Sequence, residues 1–190
     1  MSVQALLRGQ KCVKIHTAIT FAIGRTLAYE SIIQVISCLQ RSKTIIFPND
    51  LNKLQEISNA FESIAGFPNV YGAIDGCIVM IHRFHNSDGW YCTKGFPALN
   101  VMAMVDNNKR FTSYSIRPGS QNDRMMYKNS QLYKNLQLSK DGYILADAGY
   151  TLSSKMLTPY PIHAFTRDDE EKFILTHSRT RIVVEQAFGL

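Results

Sequence analysis

Four carboxylates constrain this chain more than any other feature. Asp75 lies in GAIDGCIVMIH, Asp147 in YILADAGY and Glu185 in TRIVVEQAFGL, each within or beside an apolar run, and Asp123 lies in RPGSQNDR. A carboxylate drawn into an apolar segment is costly to desolvate unless something compensates it. Several converging carboxylates point to a divalent cation as that partner. The fold that satisfies them must bring distant segments to one place. Taken singly, each acid has a plainer role. Asp123 would serve as a helix cap, Asp147 as a turn residue before Ala-Gly-Tyr, and Glu185 as a surface position of an amphipathic helix.

The periodicity of the chain changes midway. Apolar residues recur near every 3.6 positions over 12–23 and 26–39, which predicts two helices joined at Gly24. Such a pair fits a helix-turn-helix, and equally a plain helical hairpin. Pro48-Asn49-Asp50 opens a helix over about 50–64, with Asn49 or Asp50 as cap. From there the pattern becomes β-rich. Strands are predicted over 73–82, 98–105 and 110–116, the last two joined as a hairpin at Asn107-Asn108. A helix over 122–135 follows, then a short apolar strand over 143–147 in the manner of a buried parallel strand. Residues 151–175 read as irregular, and 178–190 as a helix capped near Ser178.

This order predicts an α/β domain over 66–190, a mixed sheet of four or five strands flanked by helices, behind a helical, helix-turn-helix-like region over 1–65. If the first and fourth strands are neighbours, Asp75 and Asp147 stand side by side, and the two helices can bring Asp123 and Glu185 to the same edge. That is the arrangement of a ribonuclease-H-like core, an analogy of fold and not of function.

Charge is unevenly placed. Residues 1–55 hold seven Lys and Arg against two acids, while the remainder holds fourteen against thirteen. A basic N-terminal third suits a polyanion such as nucleic acid. The four cysteines show no metal-binding spacing, and Cys38 and Cys77 read as small core side chains. A zinc site from Cys77, His82, His85 and Cys92 is disfavoured, because Cys77 and His82 fall on opposite sides of a strand. No apolar run reaches the roughly 18 residues of a membrane span, so no membrane association is expected.

Five blocks together resemble the PIF/Harbinger superfamily of transposases and their domesticated relatives, the DDE-type endonucleases. They are FPNVYGAIDG at 67–76, KGFPALNVMAMVDNNKRF at 94–111, RPGSQNDR at 117–124, LADAGY at 145–150 and HSRTRIVVEQAFG at 177–189. The resemblance implies a DNA nuclease with Asp75, Asp147 and Glu185 as its catalytic triad. Asp123 matches an additional metal-binding Asp, so all four acids are expected to hold Mg²⁺ or Mn²⁺. Arg25, Arg117, Arg124, Arg179 and Arg181 are candidates to hold DNA phosphates. The resemblance further implies a nuclear protein that relies on a Myb/SANT-like DNA-binding partner. Members continue beyond this last block, so the chain is expected to be C-terminally incomplete. Gln186 and Thr93 stand where the family has Arg. The competing expectation is therefore a catalytically inactive relic that binds DNA or protein.

Overall fold

The computed structural model describes residues 18–41, 45–84, 87–136, 142–160 and 168–189. These fall into two compact units, one of residues up to 44 together with 82–87, the other of 45–81 and 88–190. In the first unit, residues 18–20 are helical and helix α1 spans Arg25–Arg41. The first half of the expected first helix, 12–17, and His85 of the zinc alternative lie outside the described residues. Cys38, expected in a core, is exposed.

The second unit is built on a five-stranded mixed sheet in the order β3-β2-β1-β4-β5. Its strands are β1 (Val70–Met80), β2 (Ala98–Val105), β3 (Phe111–Pro118), β4 (Tyr143–Leu145) and β5 (Met156–Leu157). β1, β2 and β3 pair antiparallel in succession, while β4 runs parallel to β1 and β5 parallel to β4. The expected ribonuclease-H-like topology is thus present, and the first and fourth strands are neighbours. The hairpin between β2 and β3 is fixed by Asp106, whose carboxylate accepts the backbone N–H groups of Asn108 and Arg110, both at 2.9 Å.

Alternation along the strands divides the core into two layers. Ile74, Met102, Met104 and Ile144 face a cluster completed by Met126 and Met156. Their neighbours Ala73, Val105 and Leu145 face the opposite cluster, with Phe61, Phe67, Val183 and Val184. Helix α2 (Leu51–Ala65) closes that second layer. Asp50 caps it by accepting the Asn52 N–H at 3.1 Å, and Gly66, left-handed at φ 78°, ends it. Leu54, Ile57 and Phe61 give its buried face. Although α2 lies within the sequence region 1–65, it packs on β1 and belongs with the sheet.

Three local expectations are corrected. The helix expected over 122–135 is two, α3 (Asp123–Lys128) and α4 (Gln131–Asn135), because Ser130 Oγ accepts the Tyr133 N–H and caps a new start. Residues 151–175 are not irregular throughout, since they contain β5, too short to show a period. The last helix, α5, spans Asp168–Phe188 and begins ten residues before Ser178. Asp168, Asp169, Glu170 and Glu171 fill its first turn, where negative charge is favoured by the helix dipole. That acidic run marked a helix start and not a loop.

One side chain of α5 carries a pH dependence. His177 is buried, lies edge-to-face with Phe67 and tilted against Phe173, and its Nε2–H donates to the Leu157 carbonyl at 3.1 Å. Burial holds its pKa below the ordinary 6.5, outweighing the carbonyl bond that acts the other way. Below that value the unfolded chain gains a proton the folded chain refuses, so stability falls as pH drops. Urea midpoints should decrease from pH 7.5 to pH 5.5, and His177→Gln should show a smaller decrease over the same range.

Candidate active site

The parallel pairing of β1 and β4 sets the site. Ala73 is in register with Leu145, and Asp75 and Asp147 each lie two residues further along. Equal offsets in parallel strands bring both acids to the same end of the sheet. β4 ends at Leu145, two residues earlier than expected, and Asp147 stands in a turn in which its Oδ1 accepts the Gly149 N–H at 3.0 Å. The turn reading of Asp147 therefore holds, and the turn leaves it at the same end of the sheet as Asp75.

Asp123 is not the helix cap. Asn122 takes that role by accepting the Met125 N–H at 2.9 Å, which leaves the Asp123 carboxylate free at the first position of α3. Asn100, on β2 and 4% exposed, holds it. Its Nδ2 donates to Asp123 Oδ1 at 3.1 Å and to the Gln121 carbonyl at 3.0 Å. Asp123 then lies over β1 where the chain has no side chain. A Cβ on Gly76 would stand 2.7 Å from Asp123 Oδ1. A Cβ on Gly149 would stand 3.1 Å from Asp147 Oδ1 and 3.4 Å from Asp123 Oδ2. Two glycines thus make the room in which Asp123 and Asp147 approach each other beside Asp75.

Glu185 joins through an intermediary. Arg181, one turn earlier on α5, donates from Nη1 to Asp75 Oδ2 at 2.8 Å and from Nη2 to Glu185 Oε1. The Arg181 side chain is 17% exposed, and its guanidinium lies between the two acids. Arg181 was expected on DNA phosphate, and here it is engaged within the acidic cluster. The other candidate cations lie outside it. Arg124 donates from Nε to the Gly149 carbonyl at 3.1 Å and ties α3 to the Asp147 turn. Arg117 is exposed on β3, paired with Asn100 across the ladder. Arg179 is exposed on α5, and Arg25 is exposed at the start of α1 in the other unit.

The electrostatics follow from crowding. Burial raises the pKa of Asp147, the Asp75 charge raises it further, and the Gly149 N–H opposes both. Tyr150, 3% exposed, is pushed up by burial and then by Asp123, Asp75 and Asp147, so it stays a neutral phenol. Among the described residues Tyr150 Oη, Asn100 Oδ1 and Gln121 Oε1 are buried without a protein partner. Oxygen-rich donors, mutual repulsion and unpartnered polar atoms fit a hard divalent cation with its waters. No three acidic, His or Cys side chains among the described residues stand at ligating spacing. Arg181 sits between two of the acids that would have to close on a cation.

Sequence reasoning missed Asn100, Tyr150, Gly76 and Gly149. Asn100 carried the same signal as the acids, a lone polar residue within ALNVMAMV. The glycines carried none, because what a Cβ there would strike is decided by chains remote in sequence.

The profile described as DDE superfamily endonuclease matches residues 74–190. The chain is similar to the human protein named "Putative nuclease HARBI1", at 29% identity over 77% of this chain and 43% of that protein. The mouse counterpart is 31% identical over 76% of this chain and 42% of its own length. "Protein ALP1-like" of Arabidopsis thaliana is 32% identical over 57% of this chain and 32% of that protein. The chain spans less than half the length of these relatives. No solved structure matches it.

The raised pKa of Asp147 predicts a stability cost. Its ionised form is disfavoured in the folded state, and that cost is absent below the ordinary value of 3.8 and fully present at neutral pH. Asp147→Asn keeps the Oδ1 acceptor and removes the charge. It should stabilise the metal-free protein by roughly 1 kcal/mol at pH 7, in the range of charge-relief substitutions. Denaturant unfolding should show the gap closing as the pH falls toward 4.

Proposed function

The chain belongs to the DDE superfamily of endonucleases, and we propose that it cleaves DNA phosphodiester bonds with divalent cations held by Asp75, Asp123, Asp147 and Glu185. The observation that carries this reading is the meeting of Asp75, Asp147 and Asp123, from β1, the β4 turn and α3, at one end of the sheet. Mg²⁺ or Mn²⁺ would supply Lewis-acid activation of the attacking water or 3′-hydroxyl and of the leaving oxygen. The chain's own residues do the rest. Asn100 sets the rotamer of Asp123, and Arg124 fixes α3 against the Asp147 turn. The buried Tyr150 phenol stays neutral beside the acids and adds no charge to them. Arg117 and Arg179, exposed near the site's own elements, hold the DNA backbone.

The basic region before residue 55, with Arg25 and Arg41 on α1, supplies further phosphate contacts, as a helix-turn-helix would. A nuclear location and a Myb/SANT-like partner belong to the same reading. A second reading is favoured by Arg181, which already pairs with both Asp75 and Glu185. It is a catalytically inactive relic that keeps the fold and binds DNA or protein.

Supercoiled plasmid separates the two. Nicking that requires Mg²⁺ or Mn²⁺ and is lost at least about 100-fold in Asp75→Ala, as expected when a charge-stabilising group is removed from the reaction, supports the nuclease. Absence of nicking by folded protein at any divalent concentration supports the relic. The N-terminal role is checked by filter binding over a salt series. The double variant Arg25→Glu, Arg41→Glu should flatten the slope of log affinity against log salt by about 1 for each phosphate that is no longer neutralised. An unchanged slope would move DNA binding to the second unit or to a partner.

A further inference from the structure

Charge in the acidic cluster is offset on one side only, and there in part. Asp75 Oδ2 and Glu185 Oε1 share the guanidinium of Arg181. Among the described residues, Asp123 and Asp147 have no ion pair. Asp123 Oδ1 accepts an amide of Asn100, and Asp147 Oδ1 accepts a backbone N–H. Beside them the Asn100 Oδ1 is a buried acceptor with no partner. The cluster therefore has a partly compensated half, toward α5, and an uncompensated half, toward α3.

We propose that Arg181 occupies the place of one of two divalent cations, so that the centre fills in a fixed order. The first cation enters at Asp123 and Asp147, and the second reaches Asp75 and Glu185 only by displacing Arg181. This rests on the metal-dependent nuclease reading and adds to it a residue and a sequence of binding. A guanidinium does not deprotonate in proteins, so it cannot yield its place by losing its charge. It can leave only by rotating out, and breaking two charge-assisted bonds in a partly buried setting opposes that. The bridge also has a positioning role. It holds Glu185, on α5, toward Asp75, on β1, while no cation is present.

The order is tested on the full chain freed of metal by chelation, with free Mn²⁺ followed by electron paramagnetic resonance. Wild type should bind one equivalent, then a second at least about tenfold more weakly, a difference of roughly 1.4 kcal/mol. Arg181→Gln should strengthen the second site about tenfold and leave the first within about threefold. Arg181→Lys keeps the charge without the fork that grips both acids, and should fall between. Two equal sites in wild type, or a second site that Arg181→Gln leaves unchanged or weaker while circular dichroism shows it folded, would overturn the proposal and leave the metal centre standing. No Mn²⁺ bound by wild type or variant would overturn both. Wild type gives an answer even if Arg181→Gln does not fold. The Arg181 Nε–H resonance, assigned by its loss in Arg181→Lys, should stay fixed through the first equivalent of Mg²⁺ and shift with the second. A shift with the first equivalent, or with neither, would count against the ordered displacement.

Discussion

The parallel pairing of β1 with β4 is the contact on which the rest of this structure depends. Matching Ala73 with Leu145 brings Asp75 and Asp147 to one end of the sheet, where the Asp147 anion is disfavoured and Asp75 is paired with Arg181. A one-residue slip in register would turn one of them to the opposite face. The pairing is short, and it is secured from both sides. Ile144 packs into the methionine-rich layer, Leu145 into the layer under α2 and α5. The apolar core thus holds in place a cluster of like charges that would otherwise separate.

Room for that cluster comes from what the chain leaves out. Gly76 and Gly149 lack the side chains that would meet the Asp123 and Asp147 carboxylates. The same two positions let α3 sit close to β1 and to the β4 turn. Asn100 then converts proximity into orientation, since its amide spans Asp123 and the Gln121 backbone. A fold stabilised mainly by its two layers can carry a repulsive centre at its edge.

Arg181 gives partial relief within the chain itself. It links the element that is last in sequence to the first strand of the sheet, and so completes the site across 106 positions. Its placement also shows what an arginine's sequence context leaves open. An arginine on the last helix, near an acidic site, has the same appearance whether it faces phosphate or carboxylate. Only the helix phase, with Val183 and Val184 buried and Arg181 one turn before Glu185, decides between them.

Much of this was legible without coordinates. The β-rich runs of β1, β2 and β3, the capped helix α2 and the acids embedded in apolar runs were all local signals, and one strand order would place those acids at a single site. The blocks around Asp75, Asp123, Asp147 and Glu185 also carried the family resemblance that the match over 74–190 bears out. What was not legible was either too short or too remote. Two residues of β5 cannot show a period, and the break between α3 and α4 turned on one serine competing for a backbone N–H. The hydrogen bond from Asn100 to Asp123, the space beside Gly76 and the Arg181 bridge join segments whose spacing in sequence says nothing about their distance. The chain alone determined which residues would be costly to bury. Tertiary packing decided which of them meet, because burial is a local demand while its compensation comes from wherever the fold brings a partner.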